Sequence, residues 1–229
     1  MKHDGKSPIS ETYRTLRTNI QFTALDTEEK VLLVTSAGMG EGKSTTIANL
    51  AVSIAESGKK VLLIDCDMRR PTIHKIFRLS NQKGISDYLI GQVALGEVIH
   101  SVEEFLHILT SGTIPPNPSE LLGSKSMERF LNEMRKEYDY ILLDAPPVMA
   151  VTDAQVLSTL SNGVILVVAS GKAQRELAKR SKELLETVGA KIVGAVLTCI
   201  DINKKSHYGY YQYYAEEEAQ GKRLARKKG

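Results

Sequence analysis

Apolar residues in this chain fall into short unbroken runs separated by longer segments of helical spacing. KVLLVTS (30–36) is a continuous apolar run ending in small residues, and STTIANLAVSIAESGKK (44–60) then repeats apolar positions at Ile47, Leu50, Ala51 and Ile54. That order predicts a strand, a loop and a helix. Gly58 suits the helix exit, and KVLLID (60–65) opens a second strand. YDYILLD (138–144) and GVILVVAS (163–170) are two more such runs with helical patterns between them, and AKIVGAVLT (190–198) completes the set. Strands that are apolar at successive positions are apolar on both faces, which predicts a mostly parallel sheet with helices on both sides, an α/β fold. A less regular region lies between the second and third runs. There GISDYLIG (84–91) predicts a helix, EFLHILTSG (104–112) a strand, and PPNPSELLGS (115–124) a rigid turn into a helix. Nothing repeats internally. The reading is one domain over 31–202, preceded by an appended helical segment (1–30) and followed by a mobile tail (203–229).

Composition narrows this without changing it. A chain of 229 residues with 42% hydrophobic and 25% charged residues can bury a substantial single core. The net charge is +3, but KRLARKKG at 222–229 supplies five positive charges, which leaves the body at −2 and excludes a nucleic-acid binder by charge. Cys66 and Cys199 sit in apolar segments without metal-ligand spacing, as reduced core thiols of a cytoplasmic protein would. No apolar run approaches the roughly 20 residues of a membrane helix, and the N-terminus carries no signal-peptide pattern.

The chemistry begins at AGMGEGKST (37–45), which has the spacing of a phosphate-binding P-loop between a predicted strand and a predicted helix. Gly38, Gly40 and Gly42 let backbone N–H groups of Gly38, Met39, Gly40, Glu41, Gly42, Lys43, Ser44 and Thr45 wrap phosphates at a helix N-terminus. Lys43 reaches the β/γ oxygens, and Ser44 is suited to ligate Mg²⁺. Ala37 stands where the pattern usually has glycine.

Carboxylates follow at the ends of neighbouring predicted strands: Asp65 and Asp67 in LLIDCDMRRP, and Asp144 in ILLDAPP. Asp144 has the position of a Walker B acid, which holds Mg²⁺ directly or through water. Asp65 and Asp67, at alternate positions, put two acids on one side of a strand end, where they repel unless a cation intervenes. Arg69 and Arg70 offer a structural alternative, an ion-pair network without catalytic duty. The late strand is followed by LTCID rather than an Asn-Lys-x-Asp element, which favours ATP over GTP. Gly38 occupies the position where ATPases of the ParA and MinD type carry a lysine.

With its second acidic motif soon after the P-loop, PPNPSELL in mid-chain and tyrosines near the C-terminus, the sequence resembles the bacterial tyrosine kinases associated with capsule and exopolysaccharide production. Similarity runs from SETYRTLRTNIQF (10–22) to the tyrosines. The resemblance implies a Mg²⁺- and ATP-dependent protein-tyrosine kinase with Walker A at 37–45, Walker A′ at Asp65 and Asp67, and Walker B at Asp144. Its N-terminal motif maps onto Glu11, Arg14 and Arg17, which share one helical face. Without the resemblance these would read as a solvated charged face. In the family this motif assembles a ring of copies, an octamer, in which one copy's tail enters its neighbour's site. Many relatives carry Asn near Thr198, so base recognition departs here. Gram-positive relatives are separate cytoplasmic chains activated by the cytosolic tail of a membrane protein, so recruitment to the membrane by such a partner is implied.

SHYGYYQYYAEEE (206–218) then reads as substrate. Tyr208, Tyr210, Tyr211, Tyr213 and Tyr214 carry phenols with a pKa of about 10, so transfer to them needs a nearby carboxylate to take the proton. Asp65 is the expected base and Asp67, with Ser44 and Asp144, the expected metal ligand, although the roles of Asp65 and Asp67 can be exchanged. Phosphates added beside AEEE would repel one another, which predicts release of the tail and opening of the ring. The rival reading is a ParA/MinD-like switch ATPase with water as acceptor. An aromatic patch stacking on a partner is the plainer alternative for the tail, and the basic end receives no function.

Overall fold

The structure, a computed structural model, describes residues 8–23 and 30–200. In chain order its elements are α1 (Pro8–Thr23), β1 (Lys30–Ser36), α2 (Lys43–Ala55), β2 (Val61–Asp65), α3 (Ile73–Phe77), α4 (Ile85–Leu89), β3 (Ile99–Glu103) and β4 (Leu106–Leu109). Then come α5 (Pro118–Leu122), α6 (Lys125–Met134), β5 (Tyr140–Asp144), α7 (Asp153–Ser158), β6 (Gly163–Ala169), α8 (Arg175–Thr187) and β7 (Ile192–Thr198). The strands form one sheet in the order β3-β4-β2-β5-β1-β6-β7. All neighbours are parallel except β3 and β4. Among the described residues no helix is long and apolar enough to cross a membrane.

The unbroken apolar runs have the cause expected of them. Val31 and Leu33 of β1, Leu62 and Ile64 of β2, and Ile141 and Leu143 of β5 pack on one face, against Phe130, Leu131 and Met134 of α6, Leu157 of α7 and Leu185 of α8. Their alternates Leu32, Val34, Val61, Leu63 and Leu142 pack on the other, against Ile47, Leu50 and Ile54 of α2 and Ile20 of α1. Two layers of helix over a parallel sheet keep the central strands apolar except at their carboxyl ends, where the buried polar side chains Thr35, Ser36, Asp65 and Asp144 lie.

One strand differs from the sequence reading, the exit of the second helix at Gly58 agrees with it, and the last strand is found where expected but less buried than its apolar run implies. β3 was not anticipated: IHSVE is half-buried to exposed and pairs antiparallel at the sheet edge, so it carries no continuous apolar run. The second helix stops at Ala55, and Gly58 closes the following turn at φ 78. β7 is an edge strand with none of its residues fully buried, because β6 is its sole neighbour.

Candidate functional site

Parallel strands deliver their carboxyl ends to one edge of the sheet, and there the loops after β1, β2 and β5 converge. The loop after β1 is tied to its surroundings by Glu41, which the sequence assigned only to phosphate contact, and by Thr198 and Lys172, which it did not assign to the loop. Glu41 is 3% exposed. It accepts from the Gly38 amide at 2.5 Å and from the Ala169 amide of β6 at 3.2 Å. Its carbonyl accepts from the Thr198 hydroxyl of β7 at 2.7 Å. Lys172, which sequence reasoning missed, donates to the Gly40 carbonyl at 2.8 Å. The signal for Lys172 was its place just past a strand adjoining β1. Gly42, at φ 91, turns the chain into α2, whose first residue is Lys43. The amides of that first turn lack intrahelical acceptors and point at the loop's concave side, the arrangement that binds phosphate.

Lys43 Nζ donates to Asp67 Oδ2 at 2.8 Å, to Asp144 Oδ1 at 3.5 Å and to Ser44 Oγ at 3.1 Å. The structure thus brings together Lys43, Ser44, Asp67 and Asp144, and the cation beside Asp67 is Lys43 rather than an arginine. Burial alone would lower the Lys43 pKa, but the charges of Asp144 and Asp67 outweigh it and raise the ammonium above its ordinary value. Asp144 is fully buried; that burial pushes its carboxyl up to about 6, against the opposing pull of Lys43 and a hydrogen bond with Ser44.

Asp65 faces elsewhere. Its Oδ1 accepts from the Asp67 amide at 3.2 Å, and its Oδ2 accepts from the amides of Thr72 and Ile73 at 2.9 and 3.0 Å. Burial, followed by the Asp144 charge, pushes its carboxyl up to about 8 despite those amides. Asp65 is fully enclosed and shapes the loop that carries Asp67, Arg69 and Arg70.

Arg69 is likewise committed. Its guanidinium grips Asp153 in two places, Nε to Oδ2 at 3.0 Å and Nη2 to Oδ1 at 3.2 Å, and the Ser119 hydroxyl donates to the same carboxylate. Asp153 opens α7 and is fully buried. Sequence reasoning missed it, since a Thr-Asp pair before a helix reads as a plain start signal. Arg70 uses its amide on Asp67 Oδ1 at 3.0 Å and rests its guanidinium 3.2 Å from Met39 Sδ.

These groups border an open pocket of about 460 Å³ that runs from Gly42, Lys43, Ser44 and Thr45 past Asp67. The oxygens gathered around Lys43, those of Ser44, Asp67 and Asp144, fit Mg²⁺. Hydroxyl and carboxylate oxygens are what a small hard cation takes, and Asp144 Oδ2 is buried with no hydrogen-bond partner. Among the described residues no cluster of three His, Cys, Asp or Glu forms a cage.

Glu11, Arg14 and Arg17 lie on α1 as expected, but part of their bonding is internal. Arg14 pairs with Glu11 and lies 3.9 Å from Glu56, while Arg17 donates to the Ser53 carbonyl of α2 at 2.5 Å. The five tail tyrosines lie outside the described residues.

A family model described as an AAA domain matches residues 29–191. The chain is 48% identical over 209 residues to the tyrosine-protein kinase YwqD of Bacillus subtilis (strain 168), covering 91% of this chain and 88% of that protein. Among solved structures it is similar to the chimerical protein CapA2B2, at 43% identity and a TM-score of 0.82, covering 86% of this chain and 88% of that one. It is also similar to the kinase domain of the Escherichia coli tyrosine kinase ETK, at 36% identity and a TM-score of 0.82, covering 87% and 79%.

Proposed function

The chain belongs to the bacterial tyrosine-protein kinases, and from that premise we propose that it transfers the γ-phosphoryl group of ATP to tyrosine hydroxyls of protein, foremost Tyr208, Tyr210, Tyr211, Tyr213 and Tyr214 of a neighbouring copy. The observation that supports this most is Lys43 held between Asp67 and Asp144 at the mouth of the P-loop. One group binds the phosphates, and two carboxylates sit within reach of the same reacting centre.

Phosphoryl transfer depends mainly on positioning and on absorbing charge, because its loose transition state asks for little covalent help. P-loop amides and Lys43 orient the β and γ oxygens. The phenol oxygen forms the new bond to Pγ, the bond from Pγ to the bridging oxygen breaks, and ADP leaves with that electron pair. The phenolic proton passes to a carboxylate. Asp67 lines the pocket and Asp65 does not, which favours moving the role of base from Asp65 to Asp67 and takes Asp65 out of the reacting centre altogether. Asp67 is the base, and Asp65 positions the loop. Ser44 and Asp144 would hold Mg²⁺, which when bound neutralises charge developing on the phosphates.

Around this centre the reading extends to a ring of copies joined through α1, by the family an octamer, and to a membrane protein whose cytosolic tail recruits and activates the chain in capsule or exopolysaccharide synthesis. Phosphates accumulating beside AEEE release the tail and open the ring. Labelled γ-phosphate tests the core of it. Label on protein that vanishes when all five tail tyrosines become Phe is the expected result. Free phosphate with no labelled protein would instead point to a switch ATPase.

A further inference from the structure

The pocket does not end at the phosphate site. Its lining also includes a lobe of residues from the segments that follow two neighbouring strands, Arg70, Thr72, Lys75 and Ile76 after β2 and Pro146 and Val151 after β5. This lobe lies on the β2 flank of the P-loop; Thr198, packed beside Gly42, marks the opposite flank. A nucleotide whose γ-phosphate is cradled by Lys43 leaves the β2 flank open to the group that attacks it.

The charges of the lobe are unevenly spent. Lys43 is neutralised by Asp67 and Asp144, and Arg69 by Asp153. Arg70 and Lys75 are exposed and form no ion pair among the described residues. Thr72 Oγ1 is buried and has no hydrogen-bond partner. Two cations without an ion pair among the described residues therefore border the pocket that the proposed base also lines. An acidic segment is the complement of such a lobe.

The chain carries one in the right place. Glu216, Glu217 and Glu218 follow Tyr214 by two to four residues, a span of about 7–14 Å when extended. We infer that Arg70 and Lys75 read the acidic run Glu216–Glu218 of a second copy and so place Tyr213 and Tyr214 in line with the γ-phosphate ahead of Tyr208. This rests on the kinase reading and adds to it the feature by which the site chooses among its tyrosines. Arg70 and Lys75 act here as specificity determinants, through charge pairs at the rim of the site, and take no part in the transfer itself.

The test is site-resolved phosphate occupancy in the full-length chain, by mass spectrometry, after a short incubation with ATP and Mg²⁺. Four chains are compared: wild type, Arg70→Gln with Lys75→Gln, the three glutamates 216–218 changed to Gln, and all five changes together. Either set alone should lower occupancy of Tyr213 and Tyr214 relative to Tyr208 by about five- to tenfold, the size of two partly exposed charge pairs. The combined chain should lose no more than either set, because both remove the same contacts. Unchanged site preference, or losses that simply multiply, would overturn the inference. So would a rise in the KM for ATP at constant site preference, which would assign the two cations to the nucleotide. A wild-type chain that labels no tyrosine at all is a separate result: it removes the kinase reading, and this inference with it.

Discussion

Lys43 Nζ donates to Asp67 Oδ2 at 2.8 Å, so the P-loop lysine and the proposed base share one buried contact, with side chains 11% and 6% exposed. In the proposed mechanism phosphate oxygens compete with Asp67 for that ammonium, and a bound nucleotide that draws Lys43 forward frees the carboxylate for the phenolic proton. Binding the donor and readying the base are then one event. Lys43→Met should reduce tyrosine phosphorylation by about a thousandfold or more, since it removes the main cation at the transition state. Single-turnover labelling with γ-phosphate measures it. A variant that keeps a tenth of the wild-type rate would take the lysine out of the mechanism.

The grip of Arg69 on Asp153 predicts a stability effect distinct from catalysis. Asp153 is fully buried and would be left with the Ser119 hydroxyl as its side-chain partner. Arg69→Ala should therefore cost about 2–3 kcal/mol in urea unfolding. Removing both partners, Arg69→Ala with Asp153→Ala, should recover part of the loss, because no uncompensated charge stays behind. If the double variant is less stable by the full sum of the two single changes, the pair is not coupled.

These two contacts mark where the sequence was informative and where it was not. β1, β2 and β5 were legible because both of their faces are buried, which leaves an unbroken apolar signature. Lys43, Ser44, Asp67 and Asp144 were legible because strand ends and P-loop spacing fix their place in any parallel sheet of this kind. β3 was not, since a half-exposed edge strand in antiparallel pairing has neither an apolar run nor clean alternation. Asp153 and Lys172 were not, because their partners lie far off in sequence, 84 residues for Asp153 and 132 for Lys172. Asp65 was found by motif, but the turn that returns the Thr72 and Ile73 amides to its carboxylate, on which its proposed positioning role rests, leaves no mark in the sequence.

Asp65 gives a prediction about pH. Its folded pKa, about 8, lies above the ordinary value of 3.8, so between those values the folded chain holds a proton that the unfolded chain has lost. Stability falls with rising pH wherever the folded state binds more protons. The lowered pKa values of His74 and His107 act in the opposite sense, but only up to their ordinary value of 6.5. The clean window is therefore pH 6.5 to 8, where stability in chelator-treated protein should decline by at most about 1.4 kcal/mol per pH unit. Urea midpoints across that range measure it. A flat or rising profile would mean that Asp65 is already ionised at pH 6.5 in the fold.

Arg17 separates a docking role from an assembly role for the N-terminal helix. At the end of α2 the carbonyls of Val52, Ile54 and Ala55 accept from the amides of Glu56, Ser57 and Gly58, and these bonds pass over the carbonyl of Ser53. Arg17 Nη1 fills it at 2.5 Å, placing a cation where the helix dipole favours one. Ile20 and Leu16 pack on the same face of α1 against the α2 core, and Tyr13 bonds to Thr46 and Asn49 one turn above. α1 is thus fixed to its own chain through Arg17, while Glu11, its side chain 58% exposed, is left to face outward. Arg17→Ala should loosen α1 by about 1.5–3 kcal/mol, the worth of a charged hydrogen bond, and raise amide exchange across 8–23 while the sheet stays protected. Glu11→Ala should leave that exchange unchanged and act only on oligomeric mass. Hydrogen–deuterium exchange with light scattering on the same samples distinguishes the two. If Arg17→Ala lowers the mass without loosening α1, the arginine works across copies and the bond to Ser53 is incidental.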